Sequence, residues 1–312
     1  VTTPPQQQQG YPTASAAASA SLAAGFHSAQ ALMAAVAIRD VLAIWQQLDL
    51  RDIKASWPVL RTGIAGLIGD RFALSAAAGG QYYAQARSAA GVPGPAPVVT
   101  VLPVSPTLAA AARLDQAAYA HAVAESARAA AQAAVPVPPL VSIPPPPQPL
   151  ITATLDSTGP FALLARIQQG QPLPQAAENT GVVMSGAATR LIQNGARQAI
   201  VTLVQKDSKA VAWMRVLGSS RTGPCAFCSM LASRGPVYKS EATAMAFWHN
   251  LCKCTPQPVF SERDAEALKH NDLYEQWKDV TKGFGRHDAF LAWRRYWDRK
   301  TSRDGIRVLP AA

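Results

Sequence analysis

The sequence predicts a mainly α-helical chain with a small α+β module in its C-terminal third. Three observations carry that expectation. Apolar residues recur at three- and four-residue spacing through long stretches, β-rich alternation is confined to residues 211–218 and 255–260, and all four cysteines fall within residues 225–254. With 312 residues, 49% hydrophobic and 15% charged, the chain is long enough for two domains and too apolar to be wholly disordered. Four cysteines are too few for a disulfide scaffold of this length, so the core has to come from packing.

Residues 1–25 are polar, then small, and contain no Lys or Arg, so they read as a disordered arm rather than an export signal. Residues 26–90 read as a helical hairpin. Its first helix places Leu32, Val36, Ile38, Val41, Leu42, Trp45 and Leu48 on one stripe. The apolar run at 31–38 is far short of the roughly 20 residues that span a bilayer, and Arg39-Asp40 cuts it, so a soluble protein with no membrane partner is expected. After a break at 49–52, Ser56 ahead of Trp57-Pro58 is the expected N-cap of a second helix, with Leu60, Ile64, Leu67, Ile68 and Leu74 inward.

Residues 91–149 hold thirteen of the twenty-five prolines, which fix φ and remove backbone donors. They read as extended, exposed spacers around one Ala-rich helix at about 107–134. Residues 150–208 read as a helical region: a short helix at 161–168, then a long one at about 174–206. The long helix turns Val183, Ala187, Leu191, Gly195, Ala199 and Leu203 inward, a line of largely small residues that lets another helix approach closely. Residues 209–260 form the Cys/His module, entered and left by the two strand candidates. Residues 261–312 form a basic aromatic tail with helical patterns at about 261–280 and 286–300.

The formal charge of +10 is unevenly placed. Residues 1–204 carry eleven Lys/Arg against eight Asp/Glu, whereas residues 205–312 carry eighteen against eleven, together with five of the seven tryptophans. On the last helix Phe290, Trp293 and Trp297 share one face while Arg295 and Arg299 share another. Two readings fit the cations Arg286, Arg294, Arg295, Arg299, Lys300 and Arg303. They form the solvated side of a packed helix, or they contact nucleic-acid phosphates or an acidic protein surface without base readout.

The module carries Cys225-Ala-Phe-Cys228 and, after twenty residues, His249-Asn-Leu-Cys252-Lys-Cys254. A Cys-x2-Cys knuckle lets two thiolates meet one ion from a tight turn, and a second cluster at this distance can complete a tetrahedron. Zinc suits thiolates and a neutral imidazole, and Cys225, Cys228, His249, Cys252 and Cys254 offer five donors for four positions. If 249–254 is extended, Cys252 and Cys254 point to opposite faces and only one reaches the ion. Buried thiols and local disulfides, Cys225 with Cys228 and Cys252 with Cys254, are the alternative readings. A Cys225/His249 nucleophile has no orienting group legible in the sequence. HExxH, GxSxG and Walker A motifs are absent, so no catalytic residue is assigned.

The stretch from Ala212 through the Cys-x2-Cys to Gly235-Pro-Val-Tyr238, then the His-x2-Cys-x-Cys-Thr block and Pro258-Val-Phe260, resembles the Mu F-like minor head proteins of tailed bacteriophages, in their actinobacteriophage branch. In that family these elements follow in this order. The resemblance implies a minor capsid protein of the virion, inside the capsid near the portal vertex, and in the host cytoplasm during assembly. It implies roles in head morphogenesis, DNA packaging and DNA ejection. Its implied partners are the portal protein, the major capsid or scaffold protein, and packaged double-stranded DNA held non-specifically. Members of this branch are often labelled capsid maturation proteases. With no protease signature here, a structural protein with a structural zinc knuckle is the expectation, and a protease or a zinc-knuckle DNA-binding protein are its alternatives.

Overall fold

A computed structural model describes residues 14–101, 139–218, 224–238, 248–269 and 271–303. The helices α1 (Ala14–Trp45) and α2 (Ile53–Ala89) form the expected hairpin. Two short strands, β1 (Val98–Val101) and β2 (Leu140–Ile143), precede α3 (Gln148–Thr158), α4 (Pro160–Gln168) and the long α5 (Leu173–Lys206). The module follows as β3 (Ala212–Val216), α6 (Ala226–Ser233) and β4 (Thr255–Val259), and the tail as α7 (Glu262–Lys269), α8 (Asp272–Thr281) and α9 (Arg286–Arg303). The protein is mainly α with a small α+β module.

The body is α1, α2 and α5 packed side by side, with α3 and α4 against the N-terminal half of α5. Close approach of α2 and α5 depends on glycine. A Cβ on Gly79 would lie 2.6 Å from the Ala196 carbonyl oxygen, and one on Gly195 would overlap the Phe72 carbonyl oxygen. The two backbones therefore touch where any side chain would hold them apart. Around that contact Phe72, Ala76, Tyr83, Ala199, Ile200 and Leu203 are fully buried, and a second cluster gathers Val41, Trp45, Ile64, Ile68, Ile151, Leu155 and Met184.

Several sequence expectations give way here. Helix α1 begins at Ala14, inside the segment read as a disordered arm, because its Ala-rich start has high helix propensity and Ala23 and Phe26 have a surface to bury against. Phe26 stacks on Tyr82 at 4.4 Å between ring centroids. Ser21–Trp45 is long and apolar enough to cross a membrane by length and composition, which the reading of 31–38 missed. Its inward line of Ala23, Phe26, Gln30, Ala34, Ala37, Val41 and Trp45 is instead covered by protein, and Leu32 is left 68% exposed. Helix α2 is capped by Asp52, whose carboxylate accepts the Ala55 N–H at 3.0 Å, rather than by Ser56. Phe72 and Ala76 take the inward positions, and Leu74 is exposed.

The proline-rich region is not simply an exposed spacer. Strands β1 and β2 pair in parallel, Val98 opposite Leu140 through Val101 opposite Ile143, and Val141 and Ile143 are buried against the body. Prolines 144–147 stop β2, and Pro149 sits in the first turn of α3, where a missing N–H costs nothing. Helix α3 was not foreseen, and the expected Ala-rich helix at 107–134 lies outside the described residues. The first tail helix is split, with the Asn271 side chain accepting the Tyr274 N–H at 3.0 Å to open α8.

One buried ion pair locks the end of α5 to the end of α2. Arg87 Nε donates to Asp207 at 2.8 Å, Tyr83 donates to the same oxygen at 3.0 Å, and Arg87 also donates to the carbonyls of Val92, Pro93 and Gly94. Burial alone would raise the Asp207 pKa, but the Lys209 amide, Arg87 and Tyr83 outweigh it and hold the carboxyl below its ordinary value. A depressed carboxyl stabilises the fold above its unfolded pKa and loses that contribution as pH falls through the folded one. Asp207→Asn is therefore expected to cost about 3 kcal/mol in urea unfolding at neutral pH, and less in acid, because it leaves Arg87 buried without a counter-charge.

Candidate metal centre

Cys225 stands in extended conformation just before α6, and its Sγ accepts the Cys228 N–H at 3.3 Å. That turn presents both sulfurs at the start of the helix. Helix α6 is clasped by α9: the Trp293 indole N–H donates to the Ala226 carbonyl at 2.9 Å and to Ser229 Oγ at 3.0 Å, and the Trp297 indole donates to the Pro224 carbonyl at 2.6 Å. The tail's aromatic face therefore fixes the knuckle from behind.

The second arm is a turn. The Cys252 N–H bonds the His249 carbonyl at 3.1 Å, and Leu251 adopts φ 61°, the left-handed region. Leu251 reaches Gly186 of α5, where an added Cβ would sit 2.9 Å from its Cγ, and Arg190 Nε donates to the Asn250 side chain at 2.9 Å. Behind this arm β3 and β4 pair antiparallel. The Trp213 backbone N–H donates to the Tyr238 carbonyl at 3.1 Å, so its partner Pro258 faces β3 where no ladder bond is needed.

The two arms bring all five expected donors together. Cys225 Sγ lies 3.0 Å from His249 Nε2, Cys228 Sγ lies 3.6 Å from the same nitrogen, and Cys228 Sγ lies 3.6 Å from Cys252 Sγ. Two groups share Cys228, one with Cys225 and His249 and one with Cys252 and Cys254, each with donor atoms within 4.8 Å of one another. The expected opposition of Cys252 and Cys254 does not hold, because residues 252–254 are not strand and both sulfurs face Cys228. All four cysteines are free, so neither local disulfide forms.

Two features fit this cluster to a metal ion. In a tetrahedral zinc site, bonds of about 2.3 Å to sulfur and 2.0–2.1 Å to nitrogen space the donors roughly 3.5–3.8 Å apart, close to the two 3.6 Å separations here. His249 Nδ1 lies 2.8 Å from the Asn250 carbonyl, so Nδ1 carries the proton and Nε2 is turned towards the sulfurs, as an outer hydrogen bond orients a ligating imidazole. That carbonyl is the orienting group the sequence did not disclose.

Electrostatics point the same way. Arg197 and Arg215 are 3% and 2% exposed, and both stack on Trp248, at 4.3 and 3.8 Å from its ring centroid. Arg197 donates to the carbonyls of Cys252 at 2.5 Å and Cys254 at 3.3 Å, and Arg215 donates to Cys228 Sγ at 3.5 Å. Buried guanidiniums need a counter-charge, and the thiolates are at hand. Burial pulls Arg197 down to about 10, against the pull of Cys252 and Cys254 in the opposite direction. Hydrogen bonds to Cys228 and then His249 draw the Cys225 thiol down to about 4, and hydrogen bonds to Cys225 and Cys252 push His249 up to about 10. The Cys252 thiol is drawn down by Cys228 and Cys254, while Cys228 is pushed up by Cys225 and Cys252. Without a cation some sulfurs ionise at the expense of others; a bound divalent ion ionises every sulfur that ligates it.

Arg197 and Arg215 were missed in the sequence. Their signal was the isolation of each: one cation inside the small-residue line of α5, and one in the apolar strand Ala212-Trp-Met-Arg-Val. The tail cations divide. Arg295 and Arg299 are exposed, Arg294 approaches Asp298 at 3.8 Å, and Lys300 donates to Gln276 at 2.7 Å and lies over Trp297. The side chains of Arg286 and Arg303 lie outside the described part.

Residues 163–280 match the model of a family described as VG15 protein. The match runs from α4 through α5 and the whole Cys/His module into α8, a little over a third of the chain, and it supports a phage-encoded protein. No curated protein and no solved structure matches significantly.

Proposed function

We propose that this chain is a structural minor head protein of a tailed phage: a helical body for protein contacts, a metal-pinned α+β module, and a helical tail that clasps the module. The observation that carries the reading is the convergence of the Cys-x2-Cys and His-x2-Cys-x-Cys arms into one cluster, inside the segment that matches a viral family. The ion's chemistry here is structural. Cysteine and histidine donors from both arms would hold zinc and join α6 to the turn before β4, which a two-stranded sheet is too small to do alone. Its proposed place is the capsid interior at the portal vertex, against the portal protein and the major capsid or scaffold protein. Purified virions test this: the chain at low copy, labelled at one vertex, is expected, and its absence from particles contradicts the reading. A maturation protease is the rival, and co-expression with the major capsid or scaffold protein decides it, since a structural protein leaves both uncleaved.

The exposure of Arg295 and Arg299 on α9 favours a second role, contact with packaged duplex DNA through phosphates. Sequence-blind binding that weakens steeply with salt is expected, and Arg295→Ala with Arg299→Ala should flatten the slope of log K against log salt by about 1–2. Affinity unchanged from low to moderate salt would contradict it.

A further inference from the structure

Five donors surround a place where a tetrahedral ion takes four, and the geometry singles out one of the five. We propose that the ion is held by Cys225, Cys228, His249 and Cys252, three sulfurs and one imidazole nitrogen, and that Cys254 is a buried thiol outside the ligand set. This rests on the metal-pinned reading of the module and assigns its ligands.

The argument starts from the three donors that form one group, Cys225, Cys228 and His249. A fourth ligand must approach more than one of them. Cys252 meets two of these residues: its sulfur lies 3.6 Å from Cys228 Sγ, and its N–H closes the turn on the His249 carbonyl at 3.1 Å. Cys254 belongs to the other donor group, with Cys228 and Cys252, and not to the group that holds Cys225 and His249. The turn at 250–251 brings Cys252 Sγ to Cys228 Sγ, and the chain passes on through Cys254 to β4. Cys254, like Cys252, is 2% exposed and belongs to the buried cluster of Trp213, Trp248 and Tyr238, so burial does not separate the two. Such a position suits a small apolar side chain as well as a ligand. On the other arm, the hydrogen bond that the Cys228 backbone N–H donates to Cys225 Sγ steadies the first sulfur as a ligand.

The chemistry of the set selects the ion. Three thiolates and one imidazole make a soft donor set that suits zinc, and four protein donors close the site with no open position for catalysis.

X-ray absorption at the zinc edge of the full-length protein tests the assignment without any substitution. Three sulfurs at about 2.3 Å and one nitrogen at about 2.0–2.1 Å are expected, and four sulfurs would overturn it. Two variants give an independent answer. Cys254→Ser is expected to keep one zinc per chain with an unchanged absorption spectrum. Cys252→Ser is expected to weaken zinc binding beyond the ~10–100-fold that follows loss of an outer partner. The reverse pattern overturns the ligand assignment alone. A full-length protein that binds no zinc at all overturns the metal-pinned module as well, so the two failures are distinguishable.

Discussion

Cys228→Ser is expected to leave the chain unable to retain zinc and to melt the Cys/His module while the helical body survives. Cys228 is the sulfur common to both donor groups, and it lies within 3.6 Å of a donor on the second arm twice over, at His249 and at Cys252. Losing it removes the junction between α6 and the turn before β4. Among the described residues, one antiparallel strand pair, an eight-residue helix and the Trp213–Tyr238 stack at 4.6 Å make up the rest of the module, while α9 holds the first arm and Arg190 and Arg197 of α5 hold the second. Structural zinc contributes about 10–16 kcal/mol of apparent binding free energy in small zinc peptides, far more than such a pair of strands supplies. The readout is near-ultraviolet circular dichroism and tryptophan fluorescence, since Trp213 and Trp248 sit in or beside the cluster, with far-ultraviolet helicity reporting on the body. A variant with native spectra and no metal would show that packing alone holds the module.

Gly195→Leu is the second large effect. A Cβ there overlaps the Phe72 carbonyl oxygen and stands 3.0 Å from the Ala76 nitrogen, so the obstruction is backbone and no rotamer relieves it. The helices must separate, which opens voids around the fully buried Phe72, Ala76 and Ala199 on both sides of the contact. A loss of about 3 kcal/mol or more in urea unfolding is expected, at the upper end of what overpacking costs. The same substitution at Gly63, which has nothing within 4 Å of its added Cβ, is the control and should change stability by less than about 1 kcal/mol.

What the sequence disclosed follows from how local its signals were. The long helix α5 was legible because its inward line repeats every four residues, and every member of that line except half-buried Val183 is buried. The strands around the cysteines were legible because their alternation breaks sharply from the helical period. The start of α1 was not, because an Ala/Ser run has helix propensity but no apolar stripe to announce it, and the Tyr82 ring on which Phe26 stacks belongs to another helix. The parallel pairing of β1 with β2 joins residues about forty apart, and proline-rich flanks gave no hint of a buried Val141 and Ile143. At the cluster, spacing singled out the five residues that the fold gathers, but not their shared centre at Cys228. That depends on Leu251 adopting a left-handed turn over Gly186, a contact between distant segments. The Arg197 and Arg215 stack on Trp248 is likewise tertiary, and the basic tail has a Trp face that clasps α6 and a solvated face carrying Arg295 and Arg299.

Elemental analysis of the full-length protein purified without chelator, followed by chelation, tests the metal centre most directly. One zinc per chain is expected, and its removal should erase the near-ultraviolet signal of the module while leaving most of the helicity, with zinc restoring both the metal content and the signal. A protein that carries no zinc, takes up none when it is supplied, and still shows an ordered module would contradict the metal centre.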